Sequence, residues 1–396
     1  MHKRHFLNKD IIFSTLFVFL CVWALKYSVV NLHALDPIEK ALSDFDYGDL
    51  VYKHRKEHSR PDANSKVVIV EIGRNRAEIA REIEVINAHR PAVLAIDAWF
   101  EKPGQAETDS ILINALQQNK KLVLGTYLFE KKEGEELGMQ QSFNAVSILG
   151  QSAYLNFVGE YEKTIRYFRP HEEIEGKEVN SFAAEIVRQY DPTHFEKLKE
   201  RDNKLEFINY TKTSAQFIPT IAIDEVQPNN TALDVLNGKI VILGKTNDND
   251  LEDLHFTPFN EQLAGRSKPD MSGVFIHANT VEMILADNYV NHVPDWIVFL
   301  FAVLLTYITI VFHIFYFVEK HIWYHLFAKL MQLVFLVVLV FVKLELLDGP
   351  QLVFDENIIA VPVILSVDLL YFYDAIVKWL NKKFGYKSYF LEHAKH

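Results

Sequence analysis

The chain has 396 residues, 49% of them hydrophobic and 23% charged, and carries a net charge of −11. This composition excludes a disordered or low-complexity chain, and the acidic balance argues against a general nucleic-acid binder, which needs a basic face. The one cysteine, Cys21, excludes an intramolecular disulfide, a cysteine-based zinc site and a CxxC redox pair.

Residues 1–10 form a basic flank with His2, Lys3, Arg4 and Lys9. The apolar stretch that follows predicts a membrane helix over 11–30, with Lys26 reaching back to the interface. A cleaved signal peptide is the rival reading, but no small-x-small cleavage site follows Leu25, which favours an uncleaved anchor.

Residues 31–295 hold most of the charge and predict one extracytoplasmic α/β domain with a mostly parallel sheet. Lys66–Ile72 has strand length, and Arg76–Arg90 follows with helical spacing of Ile79, Ile83 and Ile86. Pro91 interrupts, then Ala92–Ile96 reads as a buried strand that ends at Asp97. A helix from Asp109 to about Gln118 and a strand over Lys121–Thr126 continue the alternation. Strands and helices at this spacing imply crossovers covering both faces of a parallel sheet. Beyond this point Ser181–Tyr190 reads as a helix and Lys204–Tyr210 as a strand. Lys239–Leu243 reads as a buried strand, and Gly273–Asp287 as a helix leading through Pro294 to the second span.

Three further spans are predicted over 296–318, 322–342 and 358–380, the last two separated by the turn signal Asp348-Gly349-Pro350. With the N-terminal helix they make a four-helix transmembrane region, followed by a cytoplasmic tail over 381–396. Outside residues 31–295 lie 12 Lys/Arg and 9 Asp/Glu, which leaves the middle with a net of −14. Basic flanks at both ends and the acidic loop carrying Asp348, Asp355 and Glu356 put both termini in the cytoplasm and the large domain outside. The expected location is therefore a membrane crossed several times, with both termini on its cytoplasmic side. Lys329, Asp368 and Asp374 fall inside predicted spans, where ionisable groups are functional candidates; they can pair across the bundle or sit near an interface.

Asp97 ends a buried strand, where open α/β sheets place ligand sites; it reads either as a ligand group or as a loop carboxylate holding backbone donors. The run Asp248-Asn-Asp250-Leu-Glu252-Asp253 alternates oxygens like a calcium loop. It lacks the glycine and distal glutamate of an EF-hand, so a solvated acidic loop and no metal are expected. His255 and His277 have no metalloprotease spacing and read as hydrogen-bonded structural histidines. No GxGxxG, GxxxxGK[ST] or GxSxG motif is present, so neither a catalytic function nor a cofactor is expected. If the chain is an enzyme after all, Asp97, Asp253 and His277 are the groups that would converge.

Three segments carry a resemblance: VVIVEIG (67–73), RPAVLAIDAWFEKP (90–103), and the run from GKIVILG (238–244) through Asp253-Leu-His-Phe-Thr257-Pro258 to Gly273-Val-Phe-Ile-His277-Ala-Asn279. In this order they resemble the type-two CHASE domain, an extracellular sensor module of bacterial cyclases and histidine kinases, which typically has one span before it and three after. After the first strand, where family members often carry an acidic pair and a serine, this chain reads Glu71-Ile-Gly-Arg-Asn-Arg76. The resemblance makes Asp97, Asp253, Thr257, Pro258, Gly273, His277 and Asn279 the ligand-binding or coupling candidates. The tail after the last span is too short for an output domain. The function expected is therefore a sensor that detects a ligand or protein outside and signals through a separate partner in the membrane, with a homo-oligomer as an option. The alternative is a structural or docking subunit of a multi-protein envelope complex.

Overall fold

A computed structural model describes residues 9–27, 46–58, 64–130, 137–158, 164–212, 218–246, 253–260, 268–318 and 324–388. The chain divides into two compact units, Lys40–Val290 and Met1–Glu39 together with Asn291–His396.

The first unit is the mixed α/β domain with a mostly parallel sheet that the sequence predicts. Its elements are, in chain order, helix α2 (Asp49–His58; α1 belongs to the second unit), strand β1 (Val67–Glu71), helix α3 (Arg76–Ala88), β2 (Val93–Ile96), α4 (Ala106–Gln117), β3 (Leu122–Glu130), β4 (Leu137–Gln140), β5 (Gln151–Tyr154), α5 (Phe182–Tyr190), α6 (Pro192–Glu200), β6 (Thr220–Ile221), β7 (Ile240–Gly244) and α7 (Gly273–Leu285). Parallel strands stand in the order β6-β1-β7-β2-β3-β5, and the far end of β3 adds β4 antiparallel. β7, late in the chain, lies between β1 and β2, with Val68 opposite Val241 and Leu94 opposite Val241 on the other side.

Alternating side chains divide the strands between two faces. Val68, Val70, Leu94, Ile96, Val241 and Leu243 pack with Ile79 and Ile83 of α3 and Leu112 and Leu116 of α4 in one core. The intervening residues meet α5 and α7, which pack on the opposite face. α3 starts where Asn75 caps the amides of Ala77 and Glu78. It ends at Ala88 because Arg90 takes a left-handed φ of 53° ahead of Pro91.

Several predicted boundaries shift. α4 begins at Ala106, three residues before Asp109, because Asp109 turns inward to pair with Arg76 and to accept the Gly104 amide at 2.8 Å. β3 runs on to Glu130 because β4 extends it as a hairpin. Of the predicted strand Lys204–Tyr210 only Glu206–Phe207 forms, and it pairs with Tyr167–Phe168 outside the main sheet.

The second unit contains α1 (Lys9–Tyr27), α8 (Asp295–Val318), α9 (Tyr324–Asp348) and α10 (Asn357–Phe384). Three C-terminal stretches, Asp295–Ile314, Leu326–Asp348 and Asn357–Phe384, are long and apolar enough to cross a membrane. Ile11 and Val18 of α1 pack with Ile310 and Ile314 of α8 and with Leu370, Tyr373 and Val377 of α10. Leu339 of α9 joins Val298, Ala302, Ile359 and Val363 in a second cluster. The α9–α10 seam carries polar rungs, since Lys343 Nζ meets Glu356 at 2.8 Å and Gln332 Nε2 donates to the Ile364 carbonyl at 2.8 Å.

Candidate functional site

The carboxyl ends of β2 and β7 open toward opposite faces. From β2 the chain goes to α4 on one face, and from β7 it goes to α7 on the other. Such a reversal between neighbouring parallel strands leaves a crevice at their carboxyl ends. The ladder extends one step past the strands, with the Asp97 amide donating to the Leu243 carbonyl at 2.8 Å and the Ile72 amide to the Gly244 carbonyl at 3.0 Å. This fixes Asp97 beside Gly244. A Cβ at Gly244 would lie 2.7 Å from Val274 Cγ2 and 3.2 Å from Asp97 Cβ, so only glycine lets the first turn of α7 approach.

Asp97 accepts no side-chain hydrogen bond among the described residues. Its surroundings strip water from the carboxyl and push its pKa up to about 8, and the Asp253 carboxylate adds to the rise. Asp253 ends the acidic run; its carbonyl accepts the Gly273 amide at 3.2 Å, at the start of α7. A Cβ on Gly273 would lie 3.6 Å from both Asp253 Oδ1 and His255 Nε2, and 3.3 Å from the Phe157 ring. Phe157 in turn stacks on His277 with centroids 4.6 Å apart and meets His255 edge-on at 4.9 Å. Burial pulls the His255 pKa down to about 4 and that of His277 to about 3, so both rings are neutral at pH 7. A third carboxyl lies on the other face of the same sheet edge. Glu82 of α3 accepts the Gly73 amide at 2.9 Å, and burial raises its pKa to about 7.

Asp97, Asp253, Gly273 and His277 thus come together around the first turns of α7. The other candidates do not join them. Asn279, 1% exposed, accepts the amides of Thr211 and Lys212 and donates to the carbonyls of Lys212 and Phe275, so it clamps a neighbouring loop. Thr257 donates its hydroxyl to Asp270 and receives the Phe259 amide, and buried Pro258 begins the turn that this bond closes. Lys329 pairs with Asp368 at 3.2 Å across α9 and α10, whereas Asp374 pairs with Lys378 on its own helix at 2.6 Å. The remainder of the acidic run, including Asp248, Asp250 and Glu252, lies outside the described residues. Among the described residues no three His, Cys, Asp or Glu side chains gather in a metal-holding group.

Sequence reasoning missed Phe157 and assigned His255 a merely structural place. β5, which delivers Phe157, is too short and polar to announce itself as a strand. The signal available for His255 was its position between Asp253 and Thr257 in the motif itself.

What assembles here is a cluster of two carboxyls, two neutral imidazoles and an aromatic ring, at the N-terminus of a buried helix. It offers hydrogen-bond acceptors and apolar surface.

A profile of the CHASE2 domain matches residues 19–315. No match was found among curated proteins or among solved structures. The matched stretch covers most of the chain, from within α1 to within α8, and includes every strand of the sheet: the chain belongs to the CHASE2 domain family.

Proposed function

We propose that this CHASE2 protein is a sensor of the bacterial cytoplasmic membrane, with the α/β domain outside and the segments flanking α1 and α10 in the cytoplasm. In this reading α1 is a fourth span, and a membrane partner receives the signal. The basic residues before α1 and after α10, set against the acidic 348–356 turn, support the orientation.

One observation carries the sensing role: the crevice at the carboxyl ends of β2 and β7 is built onto the first turn of α7, and α7 continues by residues 286–294 into α8. A ligand that draws on Asp97 and Asp253 stabilises one position of the α7 start over another. Such differential affinity is the requirement for any signal, because a ligand that binds both states equally shifts nothing. The role proposed for Asp97, Asp253, Gly273 and His277 is ligand contact or coupling, and for Thr257, Pro258 and Asn279 support of that geometry. The protein is not proposed to be an enzyme.

The test is purification of the full chain from native membranes in mild detergent, with mass spectrometry of what accompanies it. A kinase, cyclase or transcriptional regulator at near-equal amount is the expected result. Envelope or secretion components in its place would overturn the sensor reading and make the chain an assembly subunit.

A further inference from the structure

Lys329 and Asp368 form an ion pair whose side chains remain 59% and 52% exposed. Asp368 belongs to a 28-residue helix, about 42 Å long at 1.5 Å per residue. It stands about 17 Å from one end and about 24 Å from the other. Whichever ~30 Å of this helix lies in hydrocarbon, the carboxylate falls inside it. Lys329, near the start of α9, holds its ammonium 3.2 Å from each oxygen of that carboxylate. Leu326 and Leu330 beside it, Leu333 one turn on, and Phe372 one turn beyond Asp368 are all at least half exposed.

With α9 and α10 spanning a membrane, an ion pair this exposed is costly, because lipid does not replace the water that each charge has lost. The rungs higher on the same seam are treated differently, for the Lys343 side chain is only 6% exposed. The lower pair therefore needs a cover carrying both signs of charge. We propose that a second copy of this chain supplies it, packed two-fold about the membrane normal along α9 and the lower half of α10. The Lys329–Asp368 pair bridges two neighbouring helices and not two turns of one, so its charges stand side by side across the α9–α10 seam. Rotation by half a turn about the normal reverses their order, so each ammonium meets the carboxylate of the other copy in an alternating ring of four charges. The leucines and Phe372 close around the ring and exclude lipid. This proposal stands independently of ligand sensing in the α/β domain.

The test uses the full chain in native membranes, with Cys21→Ser removing the natural thiol and Leu330→Cys providing a new one. Oxidation is expected to give a covalent dimer. Lys329→Met is expected to cut the dimer at least tenfold, and the exchange Lys329→Asp with Asp368→Lys to restore it. The exchanged variant also separates lost pairing from lost folding, since it keeps the ion pair within each copy. A monomer in the parent, crosslinks to another protein alone, or a dimer indifferent to Lys329→Met would each overturn the proposal. The partner captured in the co-purification experiment does not bear on this result.

Discussion

The two edges of the parallel sheet handle carboxylates in opposite ways, and helix α7 touches both. At the amino edge Glu282, in the last turns of α7, accepts the Ser65 hydroxyl and the amides of Lys66 and Val67 at 2.9 and 3.1 Å, with Lys212 Nζ at 3.5 Å. At the carboxyl edge Asp97 faces a second carboxylate and takes no hydrogen bond among the described residues. Donors surround Glu282, while lost solvation and a like charge disfavour the charged form of Asp97. One edge anchors the helix to the start of β1. The other holds the Asp97 carboxyl without a hydrogen bond from any described side chain, the arrangement expected where an external group completes the set.

The contrast breaks most visibly at the anchored edge. Glu282→Ala removes the acceptor shared by the Ser65 hydroxyl and the amides of Lys66 and Val67, so it is expected to destabilise the fold by about 3 kcal/mol. Urea denaturation of the full chain in micelles measures this; a loss under about 1 kcal/mol would mean that water serves those amides equally well. Gly244→Ala tests the other edge through packing. Its new methyl must displace Val274 or Asp97, an overpacking cost of about 2 kcal/mol. It should also weaken any ligand response more than Glu282→Ala does, because it moves the first turn of α7.

Asp97→Asn is expected to act in the stabilising direction, and only at higher pH. Folding raises the carboxyl from 3.8 to about 8, so the native state favours the neutral acid. Asp97 therefore costs stability progressively as pH climbs from about 4 to about 8. The histidines have the opposite profile: folding favours their neutral rings, so their cost grows as pH falls below 6.5 toward 4. Thermal unfolding of wild type and Asp97→Asn should lie closest near pH 4 and separate progressively up to pH 8, by roughly 1.4 kcal/mol for each unit by which folding raises the carboxyl's pKa. Parallel curves across that range would remove Asp97 from the titrating groups.

Much of the fold was legible because buried parallel strands are unbroken apolar runs. Val67–Val70, Val93–Ile96 and Ile240–Leu243 are fully buried and could be read directly. The spatial order was not legible, since nothing local in Lys239–Gly244 says that it inserts between two strands far earlier in the chain. The short strands at Gln151 and Thr220 carry too few residues for any periodicity. In the candidate site, the strand-end position of Asp97 and the motif around Gly273 were readable, but the separation of Asp253 and His277 from Thr257 and Asn279 was not. All four sit in the same motif, and only the direction of each side chain divides the crevice from its support. The exposed ion pair has a similar history: the charges of Lys329, Asp368 and Asp374 stood out in sequence, whereas the choice of partner depended on which helices touch.

The smallest expected effect separates the two causes of the Asp97 shift. Burial is the larger and the Asp253 carboxylate the smaller, so Asp253→Asn should move the pH-dependent loss of stability toward neutrality only part of the way that Asp97→Asn does. Asp253 has other contacts, so its single substitution mixes several effects, and a double-mutant cycle is needed. At pH 8 the carboxylates repel, and removing either one relieves the same repulsion. The double variant should therefore gain less than the sum of the singles, by a few tenths to about 1 kcal/mol. At pH 5, where Asp97 is already neutral, the coupling should vanish. Coupling that persists at pH 5 would arise from packing or hydrogen bonding and not from charge, and the crevice would then be held by shape alone.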